Sequence, residues 1–319
     1  MSKNFFFIFI IISIITSISI ICGCINDEST GKTVIIKGKD GTFLTIMEAI
    51  KESSNGDTIL VSEGLYSETL IIDKTILLIG ENSDDTIISG DETGDVIYIN
   101  ADYVNISGFT IKNSGKIDYP NVDSGIHINS DNNIISDNNI FSNDNCGIYI
   151  YSSSNNTITN NYFYHMKYGI YLEYSTRNNI SSNIISSNIE YGIYLSYLSN
   201  NNTISDNIFS DNKYGGQIKG SQENEIIRNL FRNNKMGLYF CCGGSNNIIS
   251  HNIFINNSEW HAKGYPINKW DDGKSGNYWD DYNGTDSDGD GIGDIPYEII
   301  GYINQEDINA DRYPLIEIS

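Results

Sequence analysis

Four aspartates near the C-terminal end alternate along a short segment and could bind a hard cation. The segment reads D-x-D-x-D-G-x-x-D, and its glycine, Gly291, permits the sharp turn that such a loop needs. An EF-hand has a bidentate glutamate at position twelve, whereas this chain has Tyr297 there. We therefore expect a structural calcium site rather than a sensor, with an acidic turn that holds no ion as the alternative. The ligands would be the side chains of Asp286, Asp288, Asp290 and Asp294 and the backbone carbonyl of Ile292.

A column of tyrosines recurs at one position per repeat and could bind a sugar chain. Aromatic rings with polar neighbours suit sugar rings, and a solenoid would align such positions along one outer face. The alternative is structural, because tyrosine favours strands and stacked rings stabilise a sheet. The predicted carbohydrate-binding residues are Tyr149, Tyr171, Tyr194, Tyr239, Glu173 and Lys219.

These tyrosines belong to a repeat with a fixed period, which predicts a solenoid. Copies start 22 or 23 residues apart, at Gly125, Gly147, Gly169, Gly192, Gly215 and Gly237. Ile148 and Ile150 alternate with Tyr149, a period of two that excludes a helix. We predict an all-β, right-handed parallel β-helix with about 22–24 residues per coil. A leucine-rich horseshoe has an overlapping period, but this chain lacks its leucine spacing.

Two asparagine columns accompany the repeat and predict its turns. Asparagine tolerates left-handed backbone geometry, and stacked amides can bond to the coils above and below. We interpret both columns as structural and not as a binding site. The first is Asn133, Asn156, Asn178, Asn202, Asn224 and Asn247, and the second is Asn139, Asn161, Asn183, Asn207, Asn229 and Asn252.

The N-terminus predicts export. Lys3 precedes an apolar run, and Ile21 to Cys24 resembles a lipobox, in which Cys24 becomes the lipidated first residue. An uncleaved N-terminal anchor is the alternative, and both place the rest of the chain outside the cytoplasm, at the membrane. We divide the chain into residues 1–23 (signal peptide or anchor), 24–40 (tether), 41–123 (N-terminal cap and irregular coils), 124–258 (regular coils) and 259–319 (Asp-rich C-terminal cap).

Two further segments have predicted roles at the surface of the solenoid. Residues 43–53 form an amphipathic pattern with Ile46, Ala49 and Ile50 on one face, and this helix would cap the open N-terminal end. Residues 112–123 lengthen one repeat interval and contain Pro120, so we expect an insertion that bulges from the surface.

The charge of the chain excludes one class of partner. The formal net charge is −22, and the chain has only four arginines among its 19 basic residues. Nucleic-acid binding requires a basic track that displaces counterions from phosphates. We therefore expect no nucleic acid among the partners.

The sequence resembles pectin-lyase-like β-helix proteins in residues 43–66, FLTIMEAIKESSNGDTILVSEGLY. Its asparagine-turned coils resemble NosD-like proteins, the periplasmic accessory family of nitrous-oxide reductase. GNYWDDYNGTDSDGDGIGDIPY and DRYPL resemble a closing module shared by NosD-like and archaeal surface proteins. The resemblance implies a β-helix fold, an extracytoplasmic location and an association with copper. Candidate soft ligands are Met236, Cys241, Cys242 and His251, with His165 and Met166 elsewhere, but no spacing is diagnostic.

We expect a noncatalytic protein that binds or scaffolds at the cell envelope, with a polysaccharide or another envelope component as partner. A copper-centre accessory role is one alternative. An enzyme is the other: a polysaccharide lyase, an epimerase or a glycoside hydrolase. Uronate chemistry needs a base and a group that neutralises the substrate carboxylate, and only Glu173 and Lys219 with nearby tyrosines suggest such a set.

Overall fold

The structure, a computed structural model, describes residues 32–265, 267–301 and 309–318. The predicted leader, Cys24 and most of the tether lie outside these residues, so lipidation and membrane attachment stay predictions. Throughout the described ranges, no helix is long and apolar enough to span a bilayer.

The described chain winds into a parallel β-helix, as predicted. Each coil contributes one strand to each of three sheets, here called sheets A, B and C, and each strand pairs in parallel with its equivalent one coil later. An antiparallel pair opens sheet A, where β1 pairs with β2. A short antiparallel pair, β30 with β31, lies near the C-terminal end.

The element bounds follow the repeat. Sheet A contains β1 (Val34–Ile36), β2 (Thr58–Val61), β5 (Leu77–Gly80), β8 (Asn105–Ser107), β11 (Ile134–Ser136), β14 (Thr157–Thr159), β17 (Asn179–Ser181), β20 (Thr203–Ser205), β23 (Glu225–Ile227) and β26 (Ile248–Ser250). Sheet B contains β3 (Gly64–Ser67), β6 (Thr86–Ser89), β9 (Thr110–Lys112), β12 (Asn139–Phe141), β15 (Tyr162–Tyr164), β18 (Ile184–Ser186), β21 (Ile208–Ser210), β24 (Leu230–Arg232), β27 (Ile253–Ile255) and β29 (Tyr278–Trp279). Sheet C contains β4 (Leu70–Ile72), β7 (Ile97–Ile99), β10 (Ser124–Ile128), β13 (Cys146–Tyr151), β16 (Tyr168–Glu173), β19 (Tyr191–Ser196), β22 (Tyr214–Lys219), β25 (Met236–Cys241) and β28 (Trp260–Lys263). The remaining elements are α1 (Ile46–Glu52), β30 (Tyr297–Glu298) and β31 (Ala310–Asp311).

The core is a stack of inward-facing apolar side chains. In sheet B, Phe209, Phe231 and Phe254 lie over one another with ring centroids 4.9 and 5.0 Å apart. Trp279 extends the stack at 4.3 Å from Phe254, although we expected the regular coils to end at residue 258. The solenoid therefore continues into the predicted C-terminal cap, because β28 and β29 still pair with the preceding coil.

The repeat glycines are explained by close contact between coils. A β-carbon on Gly169 would lie 2.6 Å from the carbonyl oxygen of Gly192 and 2.7 Å from the side chain of Ile185. Any larger residue would force adjacent coils apart, so this position keeps glycine in copy after copy.

Three asparagine ladders, and not two, form the turns. In the ladder Asn138, Asn161, Asn183, Asn207, Asn229, Asn252 and Asn277, each residue donates its backbone N–H and its Nδ2 to Oδ1 of the next. For Asn183 and Asn207 these two bonds are 2.9 and 3.0 Å long. The prediction of Asn139 was wrong by one residue: Asn139 begins β12 and its side chain bonds outward to Asp84.

The other two ladders run through the remaining turns. One runs through Asn133, Asn156, Asn178, Asn202, Asn224, Asn247 and Asn268. The unpredicted one comprises Asn143, Asn188, Asn212, Asn234 and Asn257, with Met166 at the position between the first two. The left-handed residue of each turn precedes the ladder asparagine, as Ser182 precedes Asn183 with a φ of 58°. Asparagine is selected here for its hydrogen bonds rather than for its backbone angle.

The N-terminal helix packs as predicted. Helix α1 buries Ile46, Ala49 and Ile50 against the first coils, and Thr45 accepts a bond from the backbone N–H of Glu48. The carboxylate of Glu68 accepts from the first two helical N–H groups, so the helix start is fixed to the connection between β3 and β4.

The insertion between β9 and β10 does not bulge into solvent as expected. It lies on the outer face of sheet C, where Val122 packs with Cys146, Tyr149 and Tyr171. Lys167 pairs with Asp118 of the insertion and holds it down. The insertion therefore covers part of the face that we predicted to be open.

Candidate functional site

The predicted sugar-binding column lies outside the core but is not accessible along its length. Tyr149, Tyr171 and Tyr194 occupy one register position of sheet C, with ring centroids 5.0 Å apart between neighbours. Tyr149 is 2% exposed and Tyr171 is 3% exposed. They are covered by the insertion and by a second ring column, Tyr168, Tyr191 and Tyr214.

Glu173 is also buried, so it is not the exposed sugar-binding group that we predicted. Its carboxylate accepts a 2.5 Å bond from Oη of Tyr149 and a 3.3 Å bond from Oη of Tyr171. Burial raises the pKa of both tyrosines, and the neighbouring Glu173 carboxylate adds to the shift. These phenols stay protonated and tie adjacent coils together, so this part of the column is structural.

The two other predicted residues lie farther along the solenoid. Gln217 separates Tyr239 from the rings of the first three coils, and Tyr239 packs instead 5.7 Å from Trp260. Lys219 lies at the end of its strand, with Nζ 5.4 Å from the ring centroid of Tyr197. The six predicted residues therefore do not form one open face.

An exposed tyrosine row lies at one edge of sheet C, where Tyr151 ends β13, Tyr174 and Tyr197 follow β16 and β19, and Tyr119 belongs to the insertion. The residues that form it, here called the tyrosine row, are Tyr119, Tyr151, Tyr174 and Tyr197. Tyr174 stacks on Tyr197 at 5.6 Å, Tyr151 meets Tyr174 edge-on at 6.2 Å, and Tyr119 of the insertion stacks on Tyr197 at 6.4 Å. Their exposed fractions lie between 38% and 60%, so the rings form a continuous accessible surface.

Sequence reasoning missed Tyr174 and Tyr197, although a signal was available. Both follow the repeat glycine of their coil by five residues and both have left-handed backbone angles, with φ of 51° and 47°. A non-glycine residue in this conformation marks a turn, and a turn directs its side chain away from the sheet. Tyrosine at two successive turns was therefore a stronger indication of an exposed face than tyrosine within the strands.

A cleft opens beside this row, between the insertion and the first regular coils. Here called the insertion cleft, it has a volume of about 270 Å³. Its lining is Asp95, His127, Tyr149, Tyr151 and residues 120–123. Tyr151 belongs to both the cleft and the tyrosine row, so the two surfaces are continuous.

Among the described residues, two carboxylate clusters could hold a metal ion. Oxygens of Asp286, Asp288 and Asp290 lie within 4.8 Å of one another, as predicted for the loop. Asp294 does not join this cluster: its Oδ2 accepts from Oγ of Ser287 at 2.7 Å, and these hydrogen bonds lower the pKa of its carboxyl.

The second cluster, His261 with Asp280 and Asp281, was not predicted. Asn257 donates Nδ2 to Nδ1 of His261, and the orientation of this amide is fixed because its Oδ1 accepts from Asn234. Nε2 of His261 therefore carries the proton and donates to Asp280 at 2.8 Å. A metal-bound histidine instead donates its other ring N–H to an acceptor, so this cluster reads as structural.

Comparison with known proteins gives the family. The family described as periplasmic copper-binding protein (NosD) matches residues 50–284, which is most of the chain. The chain belongs to the NosD family. The resemblance predicted from the sequence is thus confirmed, and the periplasmic location in the family description agrees with an extracytoplasmic β-helix protein.

Similar proteins cover parts of this NosD-family chain. The probable ABC transporter binding protein NosD of Pseudomonas aeruginosa is 34% identical over 92 residues, which cover 25% of this chain and 19% of that protein. Its counterpart from Stutzerimonas stutzeri is 34% identical over 83 residues, with the same shares. The matched segment thus spans about a fifth of the length of these relatives.

Solved structures agree on the fold alone. The complex of XylC with xylose has 15% identity and a TM-score of 0.58, over 70% of this chain and 65% of that one. The alginate lyase from Paenibacillus sp. str. FPU-7 has 17% identity and a TM-score of 0.51, over 73% of this chain and 94% of that one.

The copper named in the NosD family description can be tested against the residues present. Copper favours imidazole, thiolate and thioether ligands. The Cys146 thiol is buried and donates to the carbonyl of Ile148, while Sγ of Cys241 accepts from Gln217 at 3.1 Å. Neither carboxylate cluster in the described ranges includes a cysteine. Met236 and Cys241 stand at opposite ends of β25, roughly 16 Å apart. Cys146, Cys241 and Met236 therefore do not form a copper centre.

Proposed function

We propose that this protein is a noncatalytic β-helix scaffold of the cell envelope that binds a polysaccharide along the tyrosine row. One observation carries the proposal: the accessible rings of Tyr151, Tyr174 and Tyr197 follow one another along three coils, Tyr119 of the insertion stacks on Tyr197, and Nζ of Lys219 lies over the Tyr197 ring. Exposed aromatic faces at this spacing offer stacking surfaces to successive sugar units. The sugars bound or cleaved by β-helix proteins of similar fold belong to those proteins and guide only the choice of probes.

A double substitution in the tyrosine row tests this proposal. We expect Tyr174→Ala with Tyr197→Ala to weaken polysaccharide binding on the order of tenfold, the effect of losing about 1.4 kcal/mol from two exposed anchors. The measurement is affinity electrophoresis through a panel of neutral and acidic polysaccharides. Substitution of Tyr171 would be a poor test, because that ring is buried and its loss would disturb packing.

Sheet B supplies a matched control. Tyr162 is 40% exposed, and its ring lies 4.7 Å from the tilted ring of Tyr164 on a different face. Tyr162→Ala with Tyr164→Ala should leave retardation unchanged. Equal retardation of the wild type and of both double variants, or no retardation on any polymer, would reject the tyrosine row as the binding surface.

We also propose calcium at the aspartate loop, in a structural role. Backbone N–H groups of Gly289 and Gly291 donate to Asp286 and shape the loop around the three converging carboxylates. An ion there would offset repulsion among these carboxylates and secure the loop, as Ca²⁺ does with oxygen ligands in general.

Chelation should therefore lower stability. With calcium at about 100 times its Kd, the ion would contribute about 2.7 kcal/mol to the free energy of unfolding, and EDTA should remove this contribution. The measurement is thermal melting with calcium and with EDTA, using Asp286→Asn with Asp288→Asn as the control that no longer responds. Identical melting curves together with no calcium by elemental analysis would dismiss the site.

A further inference from the structure

The insertion cleft contains a histidine that is held in place from three sides. Nδ1 of His127 lies 2.9 Å from Oδ2 of Asp95, and the other oxygen of that carboxylate accepts from the N–H and Oγ of Ser124 at 2.8 and 2.7 Å. The imidazole ring lies between Tyr98, at 5.0 Å, and Tyr149, at 4.9 Å. Its position and orientation are therefore fixed without any ligand.

The remaining ring nitrogen has no partner. Nδ1 of His127 donates to the Asp95 carboxylate, and in the tautomer that has its proton on Nδ1 the lone pair is on Nε2. Within the described residues, Nε2 is buried and makes no hydrogen bond. Leaving such an atom unpaired costs about 1–3 kcal/mol, so folded proteins rarely do it without a reason.

The residues that line the cleft indicate which kind of group could hydrogen-bond to Nε2. The ring of Tyr151 offers an apolar face, and Asn121 offers an amide. Asp95 and Asp123 bring two carboxylates, and no lysine or arginine belongs to the lining that the structure describes. An anionic group would be repelled here, whereas a hydroxyl could donate to Nε2.

We infer that the insertion cleft is a subsite for one uncharged sugar unit, whose hydroxyl donates a hydrogen bond to Nε2 of His127 once the cleft side chains that cover this nitrogen move aside. This inference rests on the proposed function, because Tyr151 joins the cleft to the tyrosine row and the unit in the cleft would belong to the same glycan. It selects neutral sugars over uronates. It also disfavours uronate lysis or epimerisation at this position, since nothing in the described lining neutralises a substrate carboxylate.

Short oligosaccharides test the cleft on its own. The probes are neutral hexasaccharides of glucose, xylose and mannose and an oligogalacturonate of equal length, measured by calorimetry and by saturation-transfer NMR. We expect the wild type to bind at least one neutral hexasaccharide about tenfold more tightly than the uronate. We expect His127→Phe, which keeps an aromatic ring and removes Nε2 together with the Nδ1 partner of Asp95, to weaken that binding by about tenfold.

His251 gives the matched control, because Nε2 of this histidine pairs with Asp272 at 3.0 Å on a distant turn. His251→Phe should bind the neutral hexasaccharides like the wild type, and melting curves check that both variants fold. If His127→Phe does not fold, the inference is still tested by comparing the affinities of the wild type for the neutral hexasaccharides and for the oligogalacturonate. Preference for the uronate, or equal binding by a folded His127→Phe variant, would overturn the inference.

The outcomes separate this inference from the proposed function. Polymer binding that depends on Tyr174 and Tyr197, with hexasaccharide binding that ignores His127, rejects the cleft and retains the tyrosine row. Hexasaccharide binding that depends on His127 without any polymer binding rejects the row and retains the cleft. Absence of both kinds of binding rejects both.

Discussion

Asn138→Ala will lower the free energy of unfolding by about 4 kcal/mol, and Asn139→Ala will lower it by less than about 1 kcal/mol. The Asn138 side chain is buried, accepts from the backbone N–H of Phe109 at 3.0 Å and donates to the carbonyls of Ile106 and Ser136 at 3.1 and 2.8 Å. Alanine would leave buried backbone groups without partners, each at about 1–3 kcal/mol. Asn139 points outward, and its partner Asp84 can turn to water.

Urea unfolding of the two variants measures this difference. The two asparagines are adjacent, have the same chemistry and stand in the same coil, so chain entropy and expression affect both alike. The ladder interpretation requires the large loss at Asn138 alone. Similar small losses at both positions would show that water replaces the ladder bonds at little cost.

The second large effect concerns the carboxylate at the C-terminal end of this ladder. Asp311 is fully buried, and its Oδ2 accepts from the N–H of Asn277 at 2.6 Å and from Nε1 of Trp279 at 3.0 Å. Burial raises the pKa of Asp311 from 3.8 to about 6, and the donated hydrogen bonds offset only part of the shift.

Stability should therefore fall as pH rises through this range. Between pH 3.8 and about pH 6 the folded state holds more protons at Asp311 than the unfolded state does. The free energy of unfolding loses about 3 kcal/mol by pH 7, since each pKa unit corresponds to about 1.4 kcal/mol. Asp311→Asn removes the titration, so its stability relative to the wild type should rise by about 2.4 kcal/mol from pH 4 to pH 7, since part of the loss has already occurred at pH 4.

Urea unfolding of the wild type and Asp311→Asn at several pH values isolates this group from the other acidic residues. Asp206→Asn is the control of opposite sign, because its bond to Arg228 lowers the pKa of Asp206. The difference between that variant and the wild type should move in the other direction. A constant difference between Asp311→Asn and the wild type across the range would contradict a raised pKa.

The fold was predictable because a solenoid repeats the same sequence pattern in every coil. A single copy with Ile148, Tyr149 and Ile150 is ambiguous, but six copies at one interval fix the strand and the period together. The face of α1 was predictable for a similar reason, since its three apolar residues follow helical spacing. Regularity carried both predictions.

Features that depart from the regular repeat were not predictable. The third ladder escaped detection because Met166 interrupts it and no apolar pair follows in register. The insertion could cover the sheet or leave it, and only contacts such as Lys167 with Asp118 decide this. That choice buried Tyr149 and formed the cleft lined by His127, whose Nε2 has no hydrogen-bond partner among the described residues.

The ladders run in one direction only, and this limits how such a protein can change length. Every asparagine accepts from the coil before it and donates to the coil after it, so the last one needs a group that accepts. Asp311 supplies that acceptor in one ladder and Nδ1 of His261 supplies it in another. If a whole coil is gained or lost inside the array, the last asparagine of each of these two ladders still has its acceptor. A cut within a coil leaves a ladder donor without an acceptor. The complete coil is therefore the smallest unit by which this architecture can lengthen or shorten.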